Sequence, residues 1–203
     1  MALTEDSDLI LARSTSITLT SGLVIGVRPI VPADREGIPE ALPRVSDRSL
    51  FRRFFRVVTS LSDRELDYLT AVDYHDHFAW VAYTGDPRVG LGVARYIRIL
   101  DEPEVAEAAI TVVDSHQQMG ISRILLELLS ESAQANGIRM FRGYALPKNR
   151  PVLDSASRRG LSSTTESGIA RLDVELPPPT GLHSSNIYSL LKEVAAGEIE
   201  FGT

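Results

Sequence analysis

The stretch Val112-Val-Asp-Ser-His-Gln-Gln-Met-Gly-Ile-Ser122 holds the residues best placed to do chemistry. An apolar run ends there, a polar turn containing Gly120 follows, and a helical repeat of Ile121, Ile124, Leu125 and Leu128 starts at once. A strand delivered through a glycine-containing turn onto a helix N-terminus gathers unpaired backbone N–H groups around one point. Those donors and the helix dipole favour an anion, typically a phosphate. The passage lacks G-x-G-x-x-G and lacks the G-K-[S/T] of a P-loop, so dinucleotide and ATP sites are not indicated. On its own it is also what an ordinary strand-to-helix connection looks like. Five residues upstream of Val112, Glu107 stands in a partly apolar strand, where a carboxylate can accept a proton. Its neighbours Asp101, Glu102 and Glu104 give the plainer reading, an acidic cluster facing solvent.

The remaining reactive types are weaker. His75-Asp-His77 offers two imidazoles with no spaced third ligand, so the pair reads as polar residues at a helix-to-strand junction and no metal is expected. His116 sits in the anion-favouring turn, where loop histidines are mostly solvated. Ser157, Ser162 and Ser163 lack a G-x-S-x-G context, which leaves serine-hydrolase chemistry without support. The chain has no cysteine, which removes disulfides, thiolate zinc sites and thiol nucleophiles together.

These residues need a scaffold, and 203 residues suffice for one sizeable domain. Apolar residues at 43% and charged residues at 24% match ordinary globular usage and exclude disordered, collagenous and coiled-coil chains. The balance of 21 basic to 27 acidic residues, net −6, makes nucleic acid a poor partner. No apolar run approaches the roughly 20 residues of a membrane span, and the acidic N-terminus does not resemble a signal peptide; a cytoplasmic protein with no membrane partner is expected.

Residues 1–21 read as a polar, loosely ordered arm. Leu23–Pro29 forms a strand, and helices follow over about 33–42 and 51–58, the second with Phe51, Phe54, Phe55 and Val58 on one face. Ser62-Asp-Arg-Glu65 is a capping box opening a helix to about Thr70. Strands are expected over 78–83, 89–99 and 105–113. The helix from Ile121 ends before Gly137, followed by a strand over 139–146, a helix over 149–159 and strands near 162–166 and 169–176. Pro177-Pro-Pro-Thr180 reads as an extended linker, and Ile187, Leu190, Leu191 and Val194 as one face of an amphipathic helix. That face should pack on the domain, on a second copy to give a homodimer, or over the substrate groove. The domain is expected over residues 22–176 and the linker with its amphipathic segment over 177–203.

Gln117-x-x-Gly120-x-Ser122, set on the central strand–helix turn, resembles the Q/R-x-x-G-x-G/A pyrophosphate loop of the GCN5-related N-acetyltransferases (GNAT). The resemblance covers about residues 23–176 and follows the family's order of elements. Arg52-Arg-Phe-Phe55, Leu61–Leu66, Leu69–Tyr74, Ala106–Val112 and Asn149–Leu153 with Gly160 are similar to bacterial protein lysine acetyltransferases in particular. The resemblance implies an α/β GNAT fold: a mixed, mostly antiparallel central sheet flanked by helices, with acetyl-CoA as cosubstrate and no metal. It implies that backbone groups of Val112 and Val113 pair with the pantetheine arm. The loop from Gln117 through Gln118, Met119, Gly120, Ile121 and Ser122 to Arg123 would hold the pyrophosphate, and Asn149 would contact the cofactor further along. Glu107 matches the position of the general base. Departures lie at Gln118 and Met119, where relatives carry Gly or Arg, and at Ser122, where bulk is added beside the phosphates. Ala156 stands where many relatives place a Tyr acid.

The implied reaction is acetyl transfer from acetyl-CoA to a primary amine, a protein lysine ε-amine first, by direct attack in a ternary complex. The alternatives are a small-molecule amine acceptor, or a weakly active or inactive relative serving as an acyl-CoA sensor or protein-binding module. Arg44, Arg48, Arg52, Arg53 and Arg56 could dock an acidic partner or the CoA phosphates; the preferred reading is the wet face of a helix whose Phe side packs inward.

Overall fold

A computed structural model describes residues 13–85, 88–149, 153–154, 157, 163–166 and 168–176. Eight strands form one sheet: β1 (Thr15–Thr18), β2 (Val24–Pro29), β3 (His77–Thr84), β4 (Val89–Ile99), β5 (Glu102–Val112), β6 (Met140–Ala145), β7 (Ser163–Glu166) and β8 (Ile169–Glu175). Their order across the sheet is β1-β2-β3-β4-β5-β6-β8-β7. Every neighbouring pair is antiparallel except β5–β6. A parallel pair cannot be joined by a tight turn, and here the crossover is a helix, α4. The helices are α1 (Gly37–Ala41), α2 (Asp47–Phe54), α3 (Asp63–Thr70) and α4 (Ile121–Ala135).

Local chemistry sets the boundaries. The Ser62 side chain accepts from the Glu65 amide while the Ser62 amide donates to Glu65 at 2.8 Å, the expected capping box at the start of α3. Ser46 caps α2 through the Ser49 amide, and Phe55 stops that helix at a left-handed φ of 53°. Gly137 takes φ 78° one residue after the C-cap Asn136, as expected for the end of α4. Helix α4 buries Ile121, Leu125, Leu128 and Leu129 against one face of the sheet. That face carries Phe78 stacked between Trp80 and Tyr96, and the Trp80 indole donates to Ser132 Oγ at 3.0 Å. Each fully buried side chain of this size contributes about 1.5–3 kcal/mol, which makes this layer the main source of stability.

The opposite face is covered by α1, α2 and α3, and here the sequence reading needs correction. Residues 15–18, expected within a loose arm, form edge strand β1, with Ile17 and Leu19 buried. The helix expected over 33–42 is a 3₁₀ turn, a short α1 and a second 3₁₀ turn at Leu42–Arg44, since Pro39 and Pro43 remove amide donors. On α2 the buried position is Leu50; Phe51 is 41% exposed and Val58 lies beyond the helix end. The Pro-rich linker, the C-terminal amphipathic segment and most of the 149–159 helix lie outside the described residues.

Candidate active site

Strands β5 and β6 pair over only three positions, Val105↔Met140, Ala106↔Phe141 and Glu107↔Arg142, and then part. Beyond that rung β5 continues to Val112 against β4 alone. Backbone groups alternate in direction along a strand, and the Val113 amide points to β4, donating to Leu91 O at 2.9 Å. The amides of Ile110 and Val112 therefore face the gap. A cleft of about 650 Å³ fills it, lined by Ser49, Arg53 and Phe55 of the α2 segment, the odd and even residues of β5, and Gly143 and Tyr144 of β6.

At the vertex of the split stands Glu107, on the last paired rung, exposed to the cleft. The closed side of the vertex is clamped by ions. Arg142, buried, reaches Glu102 at 2.5 Å and Asp173 at 3.1 Å, and Arg171 also binds Asp173. Arg171 first and Arg142 second hold the Asp173 carboxyl down at about 2. Across the cleft from Glu107, burial lowers the Arg53 guanidinium below its ordinary value, and the field of Glu107 opposes that shift.

The opposite end of the cleft is the Gln117–Ser122 loop. Gln118 (φ 63°) and Gly120 (φ 89°) are both left-handed, and Gly120 is the N-cap of α4 with no side-chain acceptor. Space is open around Gly120, so its glycine answers to φ and not to crowding. No described residue accepts from the amides of Gln118, Met119, Gly120, Ile121 or Ser122. Five donors at a helix N-terminus, with no described residue to satisfy them, fit a pyrophosphate. The Gln117 side chain holds the loop in place, donating to Val112 O at 3.2 Å and Asp114 Oδ1 at 3.1 Å. Gln118 and Ser122 line the cleft, while Met119 turns inward against the core and Ile121 is buried. Asn149, 8% exposed, also lines the cleft, and no described residue pairs with its carboxamide.

At two expected cofactor contacts the backbone amide already has a partner. Val113 uses its amide on Leu91 and its carbonyl on the His116 amide, and its side chain lines a different cavity. Arg123 donates its amide to Gly120 O at 3.1 Å and its guanidinium to the buried Glu127 at 3.1 Å. Both backbone amides are thereby engaged within the protein. The Ile110 amide, in turn, faces the gap, and the sequence signal for it is strand alternation counted from Val112. Arg53 was assigned to a wet helix face, yet it lies four residues after Ser49 and lines the cleft with it. Among the described residues no three metal-type side chains come together. His75 pairs with Asp76 at 2.7 Å, and His77 accepts from Arg95 at 3.1 Å.

A sheet split at a parallel pair, a helix-capped anion loop at one end of the split and a carboxylate at its vertex define an acyl-CoA site. The comparisons with known proteins agree: residues 48–160 match the acetyltransferase (GNAT) family, and the chain belongs to it. Its domain is thus an acetyl-CoA-dependent acyltransferase domain. The chain is 33% identical over 153 residues to the acetyltransferase Pat of Mycolicibacterium smegmatis, covering 75% of this chain and 46% of that protein. It therefore spans about half the length of that curated relative. The GNAT domain of S. lividans PAT superposes with a TM-score of 0.74 at 30% identity, covering 80% of this chain and 97% of that one. The yncA protein of Salmonella typhimurium, solved with its cofactor acetyl-CoA, shares the fold at TM-score 0.59 and 17% identity, over 77% and 98% of the two chains. No described helix is long and apolar enough to cross a membrane.

Proposed function

We propose that this protein transfers an acetyl group from acetyl-CoA to the ε-amine of a protein lysine, by direct attack in a ternary complex, with residues 22–176 as the catalytic unit in the cytoplasm. The observation that carries the reading is the position of Glu107 on the last rung before the strands part. The pyrophosphate would sit on the amides of Gln118 to Ser122, the pantetheine along Ile110 and Val112, and Asn149 beside it. That arrangement delivers the thioester toward the vertex. A lysine ammonium, ordinary pKa about 10.4, must lose a proton before it can attack. Glu107 accepts that proton, directly or through a water. The freed nitrogen attacks the thioester carbon, the oxyanion takes a hydrogen bond from a backbone amide in the gap, and the CoA thiol leaves. The choice of lysine rests on the resemblance to bacterial protein lysine acetyltransferases.

The test presents acetyl-CoA with a lysine peptide library and, separately, with small primary amines, reading acylation by mass spectrometry. Thermal shifts with acetyl-CoA, CoA and ATP accompany it; at about 100 times Kd a ligand adds roughly 2.7 kcal/mol. Shifts with the two CoA species but not ATP, plus peptide acylation, are expected. Acylation of the small amines alone would move the acceptor class. Stabilisation without turnover on any amine would make the protein a sensor.

A further inference from the structure

The face of the sheet that carries Glu107 holds a second cavity, about 460 Å³, between β3–β4 and the α1–α2 segment. Its walls are chiefly apolar, with Ile38, Leu42, Leu50, Phe54, Val81 and Val93 among them. Arg53 and Thr111 line both this cavity and the acyl-CoA cleft, so the two meet beside Glu107.

The cavity has four arginines, and two are accounted for. Arg28 is paired with Asp34 at 2.5 Å, and Arg88 lies over the Tyr83 ring at 4.9 Å. The other two have no bonded carboxylate among the described residues. Arg95 is 4% exposed, and the described residues hold its guanidinium only through neutral acceptors, Leu69 O at 2.9 Å and His77 Nε2 at 3.1 Å. Arg53, half-buried, lies over the Phe54 ring at 5.1 Å, has no hydrogen bond to any described residue and feels Glu107 only through space. The cavity's carboxylates, Asp34, Glu36 and Glu40, all sit on the 34–40 segment, and none of them acts on Arg95. Burial first and repulsion from Arg53 second push Arg95 down to about 10, and burial first and Arg95 second push His77 down to about 4. Buried charges are ordinarily paired, and two neighbouring guanidiniums served by one distant carboxylate leave a positive excess in a low-dielectric site. Arg95 is directly opposite Ala109 in the β4–β5 register, one same-face position from Glu107. The excess therefore lies close to where the acyl group must be when its thioester carbon is attacked.

We propose that the acyl donors of this protein include CoA thioesters whose acyl chain ends in a carboxylate, the succinyl class, with Arg53 and Arg95 receiving that carboxylate. The inference rests on the acyl-CoA reading of the cleft. In a succinyl thioester the carboxylate is three carbon–carbon bonds beyond the thioester carbon, and Arg95 stands on the β4–β5 rung next to that of Glu107 on the same face. The chemistry is otherwise unchanged. The ammonium proton passes to Glu107 and then to solvent, the amine nitrogen forms a C–N bond as the C–S bond breaks, and the leaving CoA thiolate takes the second proton that the nitrogen sheds on becoming an amide. The product amide keeps the free carboxylate.

The experiment measures equilibrium binding of succinyl-CoA, butyryl-CoA and CoA to the full chain by competition calorimetry. Succinyl and butyryl have the same number of carbons and differ in the terminal charge. Succinyl-CoA is expected to bind at least ten-fold more tightly than butyryl-CoA, since charge-assisted bonds to buried guanidiniums are the strong ones. Arg53→Gln and Arg95→Met should each bring that ratio towards one. If Arg95→Met fails to fold, Arg53→Gln decides the matter alone. Equal affinity for the two thioesters in the natural protein, with CoA bound, overturns this proposal and leaves the acetyl-CoA reading intact. A ratio that survives Arg53→Gln overturns it as well. Failure of all three to bind removes both readings.

Discussion

The two ends of the β5–β6 pair are built on opposite principles. At the closed end three ladder rungs, the Arg142 ion cluster and the buried Phe141 pair or bury the described groups. At the open end the strands part, two amides of β5 face a cleft, and five more wait at the loop before α4. Unsatisfied backbone donors are costly when nothing meets them, and a protein keeps such a concentration of them where a ligand will. The vertex between the two ends is where Glu107, the proposed base, stands. Positioning comes from the satisfied end, and binding capacity comes from the unsatisfied one.

Substitutions on either side of the vertex separate these roles. The largest effect is expected at the vertex itself: Glu107→Gln should lower kcat by 10²–10⁴-fold, with CoA affinity preserved. A rate within a few-fold of the natural protein's, measured at saturating acetyl-CoA, would take Glu107 out of the mechanism. Next comes the open end. Gly120→Ala forces a Cβ into φ 89°, costing roughly 1–2 kcal/mol, and calorimetry should show CoA binding weakened about ten-fold or more. Unchanged affinity would mean the loop does not hold the cofactor in this conformation. At the closed end, Arg142→Met strips Glu102 and Asp173 of their shared cation. The expected result is a fall of a few degrees in Tm with CoA affinity within two-fold. If that variant lost CoA binding while melting normally, the division between the ends would fail.

The smallest effect concerns pH. The folded protein holds His77 down at about 4, below the ordinary histidine value near 6.5. The unfolded chain thus binds more protons between those values, and stability falls as pH drops from about 6.5 to 4. His77→Gln should flatten denaturation midpoints across that window, as urea titrations at several pH values will show. An unaltered slope would place the acid sensitivity elsewhere.

Much of the open end was legible in the sequence because it is local. Gln117, Gly120 and the apolar repeat after it are contiguous, so strand, turn and helix could be read in order, and the capping box at Ser62 and the stop at Gly137 were equally plain. Gly92 stands where a Cβ would approach Thr111 O to 2.9 Å, a crowding that only the paired strands reveal. The short helices were less legible. Prolines and 3₁₀ turns break their periodicity, and the phenylalanine spacing at 51–58 overstated a helix that Phe55 ends. Arg53 and Arg95 could not be recognised at all, since an arginine in sequence looks solvated until the fold buries it.

What the chain alone determined was the order of elements from β2 to β6, the family and the glycine-containing turn before α4, all of which rest on short-range spacing of residue types. Tertiary structure decided which backbone groups remain free. Val113 and Arg123 lost theirs to Leu91 and Gly120, and Ile110 kept its own. It decided too that Glu107 falls on the rung where the strands part and that Arg95 comes to lie beside Ala109. Those facts depend on register between segments far apart in sequence, and a register is set only when the sheet has formed around its core.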